Sequence, residues 1–333
     1  MYRFSLIVCT YMRSRALLNL LQTVEKQTLY PDEILVIDAS ENTETELMLQ
    51  NNSFKQLRYY KVEKKHKGLT KQRNFGIQEV AENIDVVCFL DDDILLNTTY
   101  FEELINTYKI KSDALAVGGY ITNEVQWEKT HDADTPKRNE FYIDGYKRKD
   151  SQRFVIRKYL GLQPNVPPGY SPAFSHARSI GFLPPSGKIY PVELFMGGVS
   201  SYRKEVFQNI QFSEYLMGYG LYEDADFCLR LSKTGKLYVN TAAQCEHHHE
   251  ASGRPNYYKY GKMVVENGWY IWRTKCPHPD LKIKMKWHSI TLLLIIIRFT
   301  NTLTASNKKA AFQETLGRVS GWFNVLFNKI DKT

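Results

Sequence analysis

The sequence predicts an α/β fold, a mainly parallel sheet with helices on both faces, followed by a helical C-terminal extension. Two observations carry that prediction. Apolar runs of strand length, Phe4 to Cys9, Ile34 to Ile37 and Val86 to Leu90, have no polar alternation, as expected of strands buried on both faces. Between them lie segments whose apolar residues recur at helical spacing, joined by short connections, the rhythm of a sheet with crossover helices.

In chain order, Phe4 to Cys9 is the first strand, and Ala16 to Gln27 is a helix with Leu17, Leu20, Leu21 and Val24 on one face. Ile34 to Ile37 is the second strand, stopping at Asp38, and Leu57 to Val62 the third. A Lys-His-Lys-Gly turn then leads to a helix over 70–81, Val86 to Leu90 is the fourth strand, and Tyr100 to Tyr108 a helix. From Gly118 to Glu193 the pattern loosens into prolines, aromatics and charges, so 118–193 is expected to be a long, partly ordered insertion. Order resumes at Leu194 to Tyr202. A helix from Glu223 to Thr234, closed by Gly235, and a strand over Leu237 to Asn240 follow. We therefore expect a domain over 1–254, with a nucleotide-binding type half at 1–110 and a second half at 111–254. A basic amphipathic helical extension is expected at 255–333.

Charge separates these parts. Residues 255–333 hold thirteen Lys and Arg against four Asp and Glu, although the whole chain is only +8. This extension includes Ile290 to Ile297, an apolar run flanked by Lys282, Lys284, Lys286 and Arg298. Eight apolar residues cannot span a bilayer, which needs about 20 in a helix. A basic, aromatic-flanked helix can lie on an anionic membrane surface or pack on the main domain. No nucleic-acid-binding motif accompanies the charge, so nucleic acid is not an expected partner. Five scattered cysteines indicate neither a disulfide framework nor a zinc site, and the N-terminus reads as a strand rather than a secretory signal. A cytoplasmic location is expected.

The most informative junction is Val86 to Asn97, where an apolar strand ends in Asp91, Asp92 and Asp93. Strand alternation predicts that Asp91 and Asp93 point one way and Asp92 the other, at the carboxyl edge where open α/β sheets bind ligands. Three adjacent carboxylates repel unless a cation sits among them, and a hard divalent ion that also grips phosphate fits. A solvated acidic turn is the ordinary alternative.

Taken together, Ser5 to Tyr11, Ile37 to Ser40, Gly68 to Asn74, Phe89 to Asp93, Gly197-Gly198 and Tyr222 to Phe227 resemble the family 2 glycosyltransferases. The resemblance implies a GT-A type, Rossmann-like fold and inverting, non-processive transfer from a nucleotide-sugar, with UDP favoured. It places Thr10 under the nucleotide and Asp38 on the base. Lys67, Gly68 and Arg73 fall by the diphosphate, Asp91 and Asp92 at the ribose or metal shell, and Gly198 beside the donor sugar. It makes Asp93 a ligand of Mn2+ or Mg2+, joined by His247, with His248 as a substitute. Asp224 becomes the base, Glu223 orients it or touches the acceptor, and 111–254 becomes the acceptor-side half. It also implies a glycan or lipid-linked acceptor in surface polysaccharide synthesis. The Gln-x-x-Arg-Trp signature of processive synthases is absent, and Ala39 stands where many relatives carry a second acid. Competing readings are a sugar-phosphate nucleotidyltransferase, against which Thr10 to Arg13 lacks a glycine-rich loop, a metal-dependent hydrolase built on the Asp and His clusters, and a non-catalytic membrane-associated scaffold.

Overall fold

The computed structural model describes residues 2–130, 137–216, 219–249 and 256–327. The elements run β1 (Phe4–Thr10), α1 (Ser14–Val24), β2 (Glu33–Asp38), α2 (Glu44–Gln50), β3 (Leu57–Lys61), α3 (Leu69–Gln78), β4 (Val86–Asp91), β5 (Ile94–Leu96), α4 (Tyr100–Ile110) and β6 (Ala114–Ile121). There follow β7 (Glu128–Lys129), β8 (Glu140–Ile143), β9 (Tyr146–Lys149), α5 (Gln152–Tyr159), β10 (Ile189–Val192), β11 (Val199–Arg203), α6 (Glu223–Leu231) and β12 (Lys236–His247). Three helices close the order: α7 (Tyr257–Lys275), α8 (Leu281–Thr304) and α9 (Lys308–Phe327). The chain divides into two compact units, Met1–Gln126 with Ser179–Gly253, and Trp127–Arg178 with Arg254–Thr333. The boundary expected at 254/255 lies outside the described residues.

The first unit is built on a sheet ordered β10-β12-β6-β11-β4-β1-β2-β3, with β5 also paired to β12. Strands β3, β2, β1, β4, β6 and β12 run in one direction, while β11, β10 and β5 run against their neighbours. Every residue of β2 is buried, as its unbroken apolar run requires, whereas β3 at the sheet edge is half exposed. Leu6 and Val8 pack with Leu17, Leu20 and Phe101 in one apolar layer. Their strand neighbour Ile7 joins Leu35, Ile37, Phe89 and Phe227 in the layer on the other face.

Two expectations change here. Residues 114–121, placed partly in the insertion, form the buried strand β6. Its Gly118-Gly119 pair hides the strand pattern, and the glycines are needed because Phe195 and Tyr100 pack against the backbone there. Strand β12 continues to His247 rather than stopping at Asn240, through a register shift against β6 between Val239 and Gln244.

In the second unit, β7, β9 and β8 form a small antiparallel sheet. Its helices gather around Trp269, Trp272 and Trp287, with ring centroids 4.9 to 5.6 Å apart. The indole of Trp272 donates to the Ala173 carbonyl at 2.7 Å. Among the described residues, no helix is long and apolar enough to cross a membrane.

Candidate active site

Strands β1, β2 and β4 end side by side, Thr10 opposite Asp38 and Cys9 opposite Asp91. From central β1 the sheet continues to β2 on one side and β4 on the other, the reversal of strand order beside which open α/β sheets bind ligands. Gly68 enters α3 at φ 116°, a conformation that costs other residues dearly. One turn on, the buried Gln72 amide donates to the Thr10 carbonyl at 3.0 Å and the Ile37 carbonyl at 2.8 Å. It thereby ties α3 across the ends of β1 and β2.

The acidic junction does not alternate as expected. Strand β4 stops at Asp91, and Asp92 and Asp93 lie in the turn before β5, so the pleat that would separate them is gone. Asp92 and Asp93 share Arg13, at 3.0 and 3.6 Å, while Asp91 faces Arg73. Thr10 donates its hydroxyl to Asp92 at 2.7 Å. Burial pushes the Asp92 carboxyl up to about 6, against the pull of Arg13 and Thr10. Pairing of β5 with β12 sets Ile94 opposite His247 and brings Asp93 Oδ1 to 3.2 Å from His247 Nε2. The other ring nitrogen, Nδ1, meets Glu124 at 3.0 Å, and Asn123 exchanges two 3.0 Å hydrogen bonds with the His247 backbone. Burial would lower the imidazole, but Asp93 and Glu124 outweigh it and hold the group up at about 9.

A second acidic cluster forms where α6 begins. Added Cβ atoms at Gly197 would lie 2.6 Å from Arg73 and 2.7 Å from Glu223, and at Gly198 would overlap the Asp91 carboxylate. Only glycine lets the chain before β11 pass so close to these groups. The Gly197 amide donates to Asp224 at 3.2 Å, and the Ala225 amide at 2.7 Å. Burial raises the Asp224 carboxyl and these two amides oppose it. Glu223 Oε1 pairs with Arg73 at 2.6 Å, while its buried Oε2 has no hydrogen-bond partner among the described residues. Burial drives Glu223 up to about 8 despite Arg73. Tyr222, just before α6, has φ 69°, local strain of the kind that collects at functional sites.

The structure thus brings Thr10, Asp91, Asp92, Asp93, Arg73, Gly198, Glu223, Asp224 and His247 into two linked clusters on one sheet edge. The Arg73 guanidinium is buried between the Phe89 and Phe212 rings, where it acts on Asp91 and Glu223. Asp38 is fully buried, accepting from the Ser40 amide at 2.7 Å and the Tyr59 hydroxyl at 2.9 Å. Lys67 is more exposed, bonded to Glu41 at 2.7 Å. His248 pairs with Glu246 on the surface. Sequence reading missed Arg13, Gln72 and Glu124. Gln72 lay inside a motif already singled out, but Arg13 and Glu124 carry no local signal, because their partners are far away in sequence. Asp93 and His247 face one another with a carboxylate, which suits Mn2+ or Mg2+, and an imidazole, which suits softer ions than Mg2+. Among the described residues, Glu124, His247 and His249 also place one ligand atom each within 4.8 Å of one another.

Residues 5–163 match the family model described as Glycosyl transferase family 2. Among solved structures, S. aureus TarS 1-349 is 15% identical, with TM-score 0.50 over 97% of this chain and 80% of that one. GalNAc-T7 with UDP, GalNAc and Mn2+ is 15% identical, with TM-score 0.50 over 87% of this chain and 54% of that one. A longer S. aureus TarS structure is 14% identical, with TM-score 0.48, covering 99% of this chain and 46% of its own. The chain therefore spans about half the length of two of these structures. No curated protein sequence matches it. The likeness to the two structures at TM-score 0.50 shows a GT-A fold.

Proposed function

We propose, from the match of residues 5–163 to the glycosyl transferase family 2 model, that this chain is an inverting, metal-dependent glycosyltransferase. It moves one sugar from a nucleoside diphosphate, UDP by preference, to a hydroxyl of a glycan or lipid-linked acceptor in surface polysaccharide synthesis. The acceptor would be met at the inner face of the cell membrane. The single observation that carries this reading is the Gly197-Gly198 passage, against which Asp91, Glu223 and Asp224 are all packed.

Asp38 binds the base from the end of β2, and Thr10 and Asp92 line the nucleotide from below. Lys67, at the rim, attracts the diphosphate. Asp93 and His247 would hold Mn2+ or Mg2+, and Glu124 orients the imidazole through Nδ1. When bound, the ion stabilises negative charge on the departing diphosphate. Asp224 accepts the proton of the attacking hydroxyl. Its two amide donors favour the ionised form, while burial raises its basicity. Glu223 presents Oε2 towards the acceptor and is held in place by Arg73. Gly197 and Gly198 let the backbone lie directly against these groups.

Calorimetric titration with a panel of nucleoside diphosphates, with and without manganese, tests the reading. Uridine diphosphate should bind only when manganese is present, and Asp93→Asn should abolish that dependence. The cluster Glu124, His247 and His249 favours a second reading, a metal-dependent hydrolase. Tight zinc binding with no nucleotide affinity would select it.

A further inference from the structure

Helix α8 carries an apolar stripe that nothing in the described structure covers. Leu281, Met285, Leu292, Ile296, Phe299 and Leu303 are 73, 62, 41, 51, 54 and 78% exposed. Together with exposed Ser289 they recur every three or four residues, so they share one side of the helix along its whole length of about 36 Å. Trp287 and Ile290, on the other side, are buried. The stripe exposes on the order of 600 Å² of apolar side chain, at the upper end of what a monomer shows in one patch. Helix α9 adds a stripe of its own, Phe312, Leu316, Phe323 and Phe327, each at least 44% exposed.

Charge identifies the occupant. Lys282 and Lys284 flank the α8 stripe, and Lys308 and Lys309 open α9. Among the described residues of these two helices the only acid is Glu314, buried and already bonded to Arg298 and Arg318. Two copies of such a face would set lysines against lysines. An anionic lipid surface instead neutralises the lysines while its acyl boundary takes up the stripe. We propose that α8, with α9 beside it, docks this chain in the interfacial plane of a bilayer containing anionic phospholipid. The helix lies along the surface, its apolar side in the lipid. This docking deepens the lipid-linked reading of the acceptor, and because vesicle binding is measured without turnover the two can fail separately.

The test is co-sedimentation of the full chain with vesicles of phosphatidylcholine containing about one third phosphatidylglycerol, against phosphatidylcholine alone. Wild type should bind the mixed vesicles, and added salt should weaken binding. Leu292→Asn, Ile296→Asn and Phe299→Asn together should lower the partition coefficient about a thousandfold, each loss being worth roughly tenfold. An unchanged circular dichroism spectrum and melting point show that this variant folds. Lys282→Glu with Lys284→Glu should abolish the preference for phosphatidylglycerol. The proposal is overturned if wild type ignores both vesicles. It is equally overturned if wild type sediments as an oligomer that the triple variant turns into a monomer, since a second copy then covers the stripe.

Discussion

Replacing Arg73 with methionine tests the ion pair on which the Glu223 cluster is built. The Arg73 and Glu223 side chains are 2% and 6% exposed, so solvent screens the pair little. The 3.4 Å contact to Asp91, itself 32% exposed, is worth only a few tenths of a kcal/mol. Removing one partner of a buried pair leaves the other charge uncompensated and costs about 3–5 kcal/mol. Glu223 sits at about 8, above its ordinary 4.5, and Arg73 is the group that pulls it down, so the variant carries it higher still. A carboxyl raised on folding contributes stability that is present below its unfolded value and lost as pH rises through the folded one. In wild type that loss runs from 4.5 to about 8, and in the variant it continues to higher pH. The deficit of the variant is therefore largest above pH 8, where the full 3–5 kcal/mol is expected, and shrinks towards pH 6. Urea denaturation at pH 6 and pH 9 reads this as a midpoint shift with unchanged slope. Arg73→Met with Glu223→Gln should recover more than half of the loss. A deficit below about 1 kcal/mol at pH 9, or strict additivity of the two changes, would refute the reasoning.

Three further outcomes are expected. Gly198→Ala drives a methyl into the Asp91 carboxylate and should cost about 1–3 kcal/mol in thermal unfolding while weakening nucleotide binding. Thr10→Val removes the hydroxyl donor to Asp92, so the Asp92 titration followed by carbon NMR should move above its present value of about 6. Because that carboxyl is raised on folding, its contribution is present below 3.8 and gone once pH passes about 6. Glu124→Gln loosens the imidazole of His247, and Mn2+ affinity measured by electron paramagnetic resonance should fall about 10–100-fold. An unchanged Mn2+ affinity would mean that Glu124 holds the loop and not the ligand.

Strands β1, β2 and β4 could be read almost residue by residue, because a strand buried on both faces has little choice but to be apolar. β6 escaped for the opposite reason, since its glycines answer to the bulk of Phe195 and Tyr100, residues far from it in sequence. The short helix α2 buries only Thr45 and so leaves no periodic trace. At the site, the carboxylates were legible as chemistry but their pairing was not. Arg73 looked like a cation for phosphate, yet it is closed in by Phe89, Phe212 and Glu223. Likewise a turn after Asp91, invisible in the pattern Leu90-Asp91-Asp92-Asp93, decides which carboxylates share Arg13.

Single-turnover transfer by Asp224→Asn tests the central claim most directly. The substitution keeps the shape of the side chain beside Gly197 and removes only its ability to take a proton. The account predicts unchanged manganese-dependent binding of uridine diphosphate with transfer slowed about 10²–10⁴-fold. Transfer at close to the wild-type rate would contradict it.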